Sequence, residues 1–131
     1  MLVKAEVIRR IGYLDDDYFF GMEDLDYGIR VHTNSLRCVV AMKAKLWHKV
    51  SNSTGGMDSP IYTYYYLRNR LLLMKKHGSV KDWLTFSLHF LASYVFKYTM
   101  ISIIRKRSFR CYIAIYYSLR DFLQGDRKSV V

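Results

Sequence analysis

Residues 11–30 read IGYLDDDYFFGMEDLDYGIR. Three consecutive aspartates, Asp15, Asp16 and Asp17, favour side-chain bonds to nearby backbone over helix or strand, so they predict a turn. Tyr18, Phe19 and Phe20 follow as a short aromatic stretch, and Gly21 closes it with a residue that lets another chain or a ligand approach the backbone. From Glu23 to Thr33 the pattern EDLDYGIRVHT predicts a helix, with Glu23, Asp24 and Asp26 in its first turn, where the helix dipole favours negative charge.

Upstream, residues 4–12 (KAEVIRRIG) predict a short helix that ends at Gly12 with a left-handed cap. Downstream, residues 36–42 and 45–50 are rich in Val, Leu and Trp and predict two strands. Residues 51–58 (SNSTGGMD) predict a loop. Ser59 is a helix N-cap by type and Pro60 suits a first turn, so a helix is expected over about 61–77, stopped by Gly78. Ser79 caps a second helix over 80–104. After a basic break at 105–108, a third covers 109–124 and ends at Gly125. The composition therefore changes near Ser59, from mixed α/β before it to helical and aromatic-rich after it.

The chain has 131 residues, 51% of them apolar and 16% aromatic, with 12 Tyr and 7 Phe. That suffices for a core and excludes a disordered tail. The net charge is +10, which draws the chain toward phosphates, nucleic acid or an acidic membrane surface. The charge is segregated. Residues 14–26 hold six acids and no base, whereas residues 97–110 hold Lys97, Arg105, Lys106, Arg107 and Arg110 and no acid. An acidic corner with a basic far end does not suit a nucleic-acid binder, and no motif of that class is present. Cys38 and Cys111 lack metal-site spacing and read as buried free thiols of a reducing compartment. No signal peptide is visible, because Lys4 and Glu6 interrupt the first residues.

The segment from Gly12 to Arg30 matches the pattern G-x-x-D-[DE]-x-[FY]-F-x-x-x-E-D-x-D-x-x-x-R at Gly12, Asp15, Asp16, Tyr18, Phe19, Glu23, Asp24, Asp26 and Arg30. This resembles the acceptor-side segment of inverting family 2 glycosyltransferases. The likeness extends to His48 in LWHKVSNSTGG, to YYYLRNR at residues 64–70, and to LRDFLQG at 119–125, which is similar to rhamnosyltransferase-like members. The resemblance implies an α/β fold, with residues 1–58 as the acceptor-side half of a Rossmann-like GT-A domain and residues 59–131 as a helical C-terminal extension. It assigns Asp24 as the base that takes a proton from the acceptor hydroxyl during attack on the anomeric carbon. It places Glu23, Gly21 and Asp26 at the bound substrate. Arg68 and Asn69 either touch the diphosphate or brace their helix. A divalent cation, Mn²⁺ or Mg²⁺, is implied for the leaving group; His48 reads equally as its ligand or as a structural histidine.

The implied reaction moves a sugar from a nucleotide-diphosphate donor, dTDP-rhamnose by resemblance alone, to a saccharide or lipid-linked acceptor. The family's nucleotide-binding half, with its aspartate pair, is not found in this sequence. Residues 1–12 resemble an internal family segment, so Met1 reads as an internal methionine, and the chain alone is expected to be inactive. Residues 83–104 (WLTFSLHFLASYVFKYTMISII) form the longest apolar stretch, but Thr85, His89, Ser93 and Lys97 make a polar stripe at every fourth residue. The pattern favours a helix lying in the interface, or packed on the catalytic half, over a membrane span. The expected location is the inner face of the plasma membrane. The alternative is a non-catalytic, basic, membrane-associated helical protein derived from such an enzyme.

Overall fold

A computed structural model describes residues 1–47, 59–96, 100 and 109–125. Their regular structure is helical throughout: α1 (Ala5–Ile11), α2 (Glu23–Thr33), α3 (Pro60–His77), α4 (Val80–His89), a π-helical continuation of α4 (Phe90–Val95), and α5 (Phe109–Gln124). The chain divides into two compact units, Met1–Val50 and Ser51–Val131.

The α/β, GT-A-type expectation is overturned, because the described residues contain no strand and no sheet. A strand is stable only when its backbone N–H and C=O groups meet a neighbouring strand and one face is covered. Residues 36–47 have neither. Their chain is irregular, and Val39, Val40, Leu46 and Trp47 are all exposed. Cys38 lies in the same segment and is exposed instead of buried, whereas Cys111 is buried; both are free thiols. Residues 48–50, the end of the second expected strand, and the loop at 51–58 lie outside the described residues.

In the first unit α1 and α2 pack around Tyr18, Tyr27 and Val31. Helix α1 ends where expected, but Gly12 has φ 82° and ψ −174°, a region open essentially to glycine and distinct from the left-handed helical one. The Tyr27 hydroxyl donates to the Gly12 carbonyl at 3.2 Å, and Arg10 Nη2 donates to the Asn34 carbonyl at 2.8 Å. These two bonds tie the end of each helix to the other.

In the second unit α3 packs along α5. Ser59 caps α3 as expected, its hydroxyl accepting from the Tyr62 N–H at 3.1 Å, with Pro60 in the first turn. Helix α5 offers α3 small residues, Cys111, Ala114 and Ser118, which let the larger Tyr64, Leu67 and Leu71 seat between the helices. The seam is partly polar: the Tyr64 hydroxyl donates to Asp121 Oδ2 at 2.8 Å, and Arg120 Nη2 lies 2.7 Å from Asp121 Oδ1. The Trp83 ring on α4 lies 6.3 Å from that of Phe122 on α5. No helix among the described residues is long and apolar enough to cross a membrane.

Candidate active site

The acidic segment between α1 and α2 folds as its residue types demand. Asp15 Oδ1 accepts from the Asp17 N–H at 3.0 Å, and the Asp15 carbonyl accepts from the Tyr18 N–H at 3.2 Å, which closes the turn. The turn drives Tyr18 inward, where it is buried. Burial first, and then the neighbouring carboxylates of Asp26 and Asp15, push the Tyr18 phenol well above the ordinary tyrosine value. It is therefore held as a proton donor, and its hydroxyl lies 3.5 Å from Asp26 Oδ1.

Asp26 is the centre of the local lock. It is 1% exposed. Its other oxygen, Oδ2, accepts from Arg30 Nε at 2.8 Å, one helical turn along α2. Arg30 then reaches back to the preceding segment: Nη1 donates to the Ile11 carbonyl at 2.9 Å and Nη2 to the Tyr13 carbonyl at 2.8 Å. Its guanidinium also lies 4.9 Å from the centre of the Tyr27 ring. One arginine thus links the end of α1, the residue just past Gly12 that leads into the aspartate turn, and the body of α2. Tyr18 and Arg30 both stand in the sequence pattern, yet neither carries a role there. The acid–base spacing of Asp26 and Arg30 was the signal available for it.

The lock fixes the entry to α2. Gly21 has φ 73° and the next residue, Met22, has φ 76°. Two successive left-handed residues turn the chain sharply just before Glu23 and Asp24. For Met22, which carries a Cβ, that conformation costs about 1–2 kcal/mol. Met22 is the residue at the N-cap and gives no side-chain cap bond, so the first-turn carboxylates are not displaced by a capping side chain. Asp24 is exposed, with Oδ1 accepting from the Leu25 N–H at 2.8 Å. Glu23 is half-buried, and its Oε2 is buried without a hydrogen-bond partner. A buried acceptor oxygen in that state costs free energy until a donor reaches it.

Gly21, Glu23, Asp24 and Asp26 therefore come together at the start of α2. Arg68 and Asn69 belong to the second unit, where both are buried in α3 and Arg68 Nη1 donates to Asn69 Oδ1 at 2.9 Å. That contact favours the bracing role for the pair. His48 lies outside the described residues. Among the described residues no three His, Cys, Asp or Glu side chains are grouped to hold a metal ion. Comparison with protein-family models, with curated proteins and with solved structures finds no match for this chain.

Proposed function

We propose that residues 11–30 form the acceptor-side catalytic segment of an inverting sugar transferase, which moves a sugar from a nucleotide-diphosphate donor to a saccharide or lipid-linked acceptor. One observation carries the reading: the left-handed turn at Gly21 and Met22 sets exposed Asp24 beside Glu23, whose Oε2 is buried and unpartnered. Strained backbone of this kind is retained where the surrounding structure over-determines it, and such places are enriched at functional sites.

In this reading the acceptor donates one hydroxyl to Glu23 Oε2 and presents a second, the nucleophile, to Asp24. The Asp24 carboxylate takes the proton as that oxygen bonds to the anomeric carbon and the bond from that carbon to the diphosphate breaks. The nucleoside diphosphate departs with the electron pair. Asp26 and Arg30 act by holding the turn, not by touching substrate. A divalent cation supplies charge neutralisation to the diphosphate when bound, and His48 is its proposed ligand. Donor binding is proposed to come from a further, nucleotide-binding half.

The test is turnover of a panel of nucleotide sugars, dTDP-rhamnose first, with Mn²⁺ or Mg²⁺. It uses the chain and the chain extended in frame into upstream coding sequence. Wild-type activity that falls by roughly 10²–10⁴-fold in kcat in folded Asp24→Asn, with little change in donor KM, supports Asp24 as the base. Activity untouched by Asp24→Asn removes that assignment, and a folded, extended protein with no turnover of any donor removes the enzymatic reading.

A further inference from the structure

Helix α4 and its π-helical continuation carry an apolar stripe that faces away from the core. Val80, Leu84, Leu88 and Phe96 are 88%, 75%, 74% and 64% exposed, and Ala92 between them is exposed as well. They recur every fourth residue. In an α-helix that spacing overshoots a full turn, so the stripe drifts by about 40° per step. A π-helical turn holds about 4.4 residues and falls short of a full turn by a similar angle. The π segment Phe90–Val95 thus stops the drift gathered along α4, so the stripe stays on one side of the rod.

The other faces of this rod are accounted for. Trp83, Phe86 and Phe90 form the aromatic face: Trp83 lies 6.1 Å from Phe86 and Phe86 lies 5.5 Å from Phe90, centre to centre, and Trp83 also meets Phe122 of α5. Lys81, Thr85, His89 and Ser93 form the polar stripe, within which Ser93 Oγ lies 3.4 Å from His89 Nδ1. The exposed leucines therefore occupy a third face, which no described residue of the second unit covers.

Charge identifies what covers it. Residues 51–131 carry 13 Lys or Arg against four Asp or Glu, whereas residues 1–50 carry eight against seven. Nearly all of the chain's net positive charge thus belongs to the unit that bears the stripe. Lys75, Lys76, Lys81 and Arg110 are among its exposed cations. A second copy would bring equal positive charge against it. An anionic bilayer supplies both an apolar interior for the leucines and a negative surface for the cations.

We infer that the Val80, Leu84 and Leu88 face, continued by Ala92 and Phe96, lies in the interfacial layer of an anionic phospholipid membrane, with its axis in the membrane plane. The inference does not rest on the sugar-transfer reading, and the binding test contains no sugar nucleotide, so either can fail alone.

The experiment is flotation of the full chain with neutral phosphatidylcholine vesicles and with vesicles containing phosphatidylglycerol, at low and high salt. Wild type is compared with Leu84→Asp/Leu88→Asp and with Val40→Asp, whose site is an exposed apolar position in the other unit. Circular dichroism checks that each variant is folded; both altered leucines are exposed, so helix content should be kept. The expected result is binding to the anionic vesicles that weakens with salt, falls by roughly tenfold or more in the double variant, and survives Val40→Asp. No binding to anionic vesicles overturns the inference, as does binding that the double variant retains or that Val40→Asp abolishes equally. A salt-stable dimer that Leu84→Asp/Leu88→Asp dissociates would also overturn it, by assigning the face to a second copy.

Discussion

At the scale of the residue, the entry to α2 is where local preference and tertiary demand disagree. Gly21 suits its φ of 73°; Met22 at 76° does not. An alanine at Gly21 would carry the same left-handed cost that Met22 already bears, with nothing gained in packing. Gly21→Ala is therefore expected to lower the stability of the first unit by about 1–2 kcal/mol. Met22→Gly relieves that strain but adds freedom to the unfolded chain, so it is expected to stay within about 1 kcal/mol of wild type. Urea midpoints at unchanged slope, followed by a signal from α2, measure both; Gly21→Ala as stable as wild type would mean that the turn relaxes at no cost. The carboxylates at the start of α2 were legible in the sequence, because acids favour a first turn by a local rule. The positive φ of Met22 was not, since methionine has no left-handed preference to signal it. Arg30 lay between these cases: its spacing from Asp26 announces an ion pair, but its bonds to the Ile11 and Tyr13 carbonyls depend on how the intervening turn folds.

At the scale of the element, helix starts were read closely and strands were misread, for one physical reason; the helix expected over 80–104 is α-helical only to His89 and π-helical over Phe90–Val95, and residues 97–99 and 101–104 lie outside the described residues. A helix closes its own hydrogen bonds, so its limits depend on nearby residues such as Ser59, Pro60, Gly78 and Ser79. Residues 36–47 have strand composition, but a strand takes its bonds from a neighbour, and the described residues offer none. Gly78 shows a subtler point. It ends α3 as expected, yet its φ is negative; glycine is required there because a Cβ would lie 2.6 Å from the Met74 carbonyl oxygen. The start of α4 is set by a capping box. Asp82 Oδ2 accepts from the Ser79 N–H at 2.9 Å and from the Ser79 hydroxyl at 2.6 Å, while Ser79 Oγ accepts from the Asp82 N–H at 3.3 Å. The bonds from Ser79, hydroxyl first and backbone second, hold the Asp82 carboxyl below its ordinary value of 3.8. A depressed folded value means that this carboxylate's contribution is complete above 3.8 and is lost as pH falls through the lower folded value. Amide exchange in the first turn of α4 should therefore lose protection in that acid window in wild type. In Asp82→Asn protection should be lower at neutral pH, without the corresponding acid step. An identical acid step in Asp82→Asn would show that another group sets it.

At the scale of the whole molecule, the two units differ in chemistry as well as in contacts. The first is nearly neutral and braced by Asp26 and Arg30; the second is strongly basic and closed by a seam in which Tyr64 donates to Asp121. The partners given above for Asp26 and Arg30 fall within residues 11–30, and those for Tyr64 and Asp121 fall on α3 and α5. Arg30→Met leaves the buried Asp26 carboxylate without its cation and is expected to cost the first unit about 2–4 kcal/mol. Tyr64→Phe removes a donor from the buried Asp121 carboxylate and is expected to cost the second unit about 1–3 kcal/mol. Where two sites share no partners their effects add to within about 0.5 kcal/mol. Native-state hydrogen exchange can read each unit separately. Arg30→Met should lower protection of α2 amides and leave α3 and α5 near wild type, Tyr64→Phe should do the converse, and the double variant should show both losses unchanged in size. Equal loss of protection in α3 on Arg30→Met would instead mean that the chain opens as one cooperative body, and the Asp26–Arg30 lock would then be inseparable from the stability of the basic helical unit.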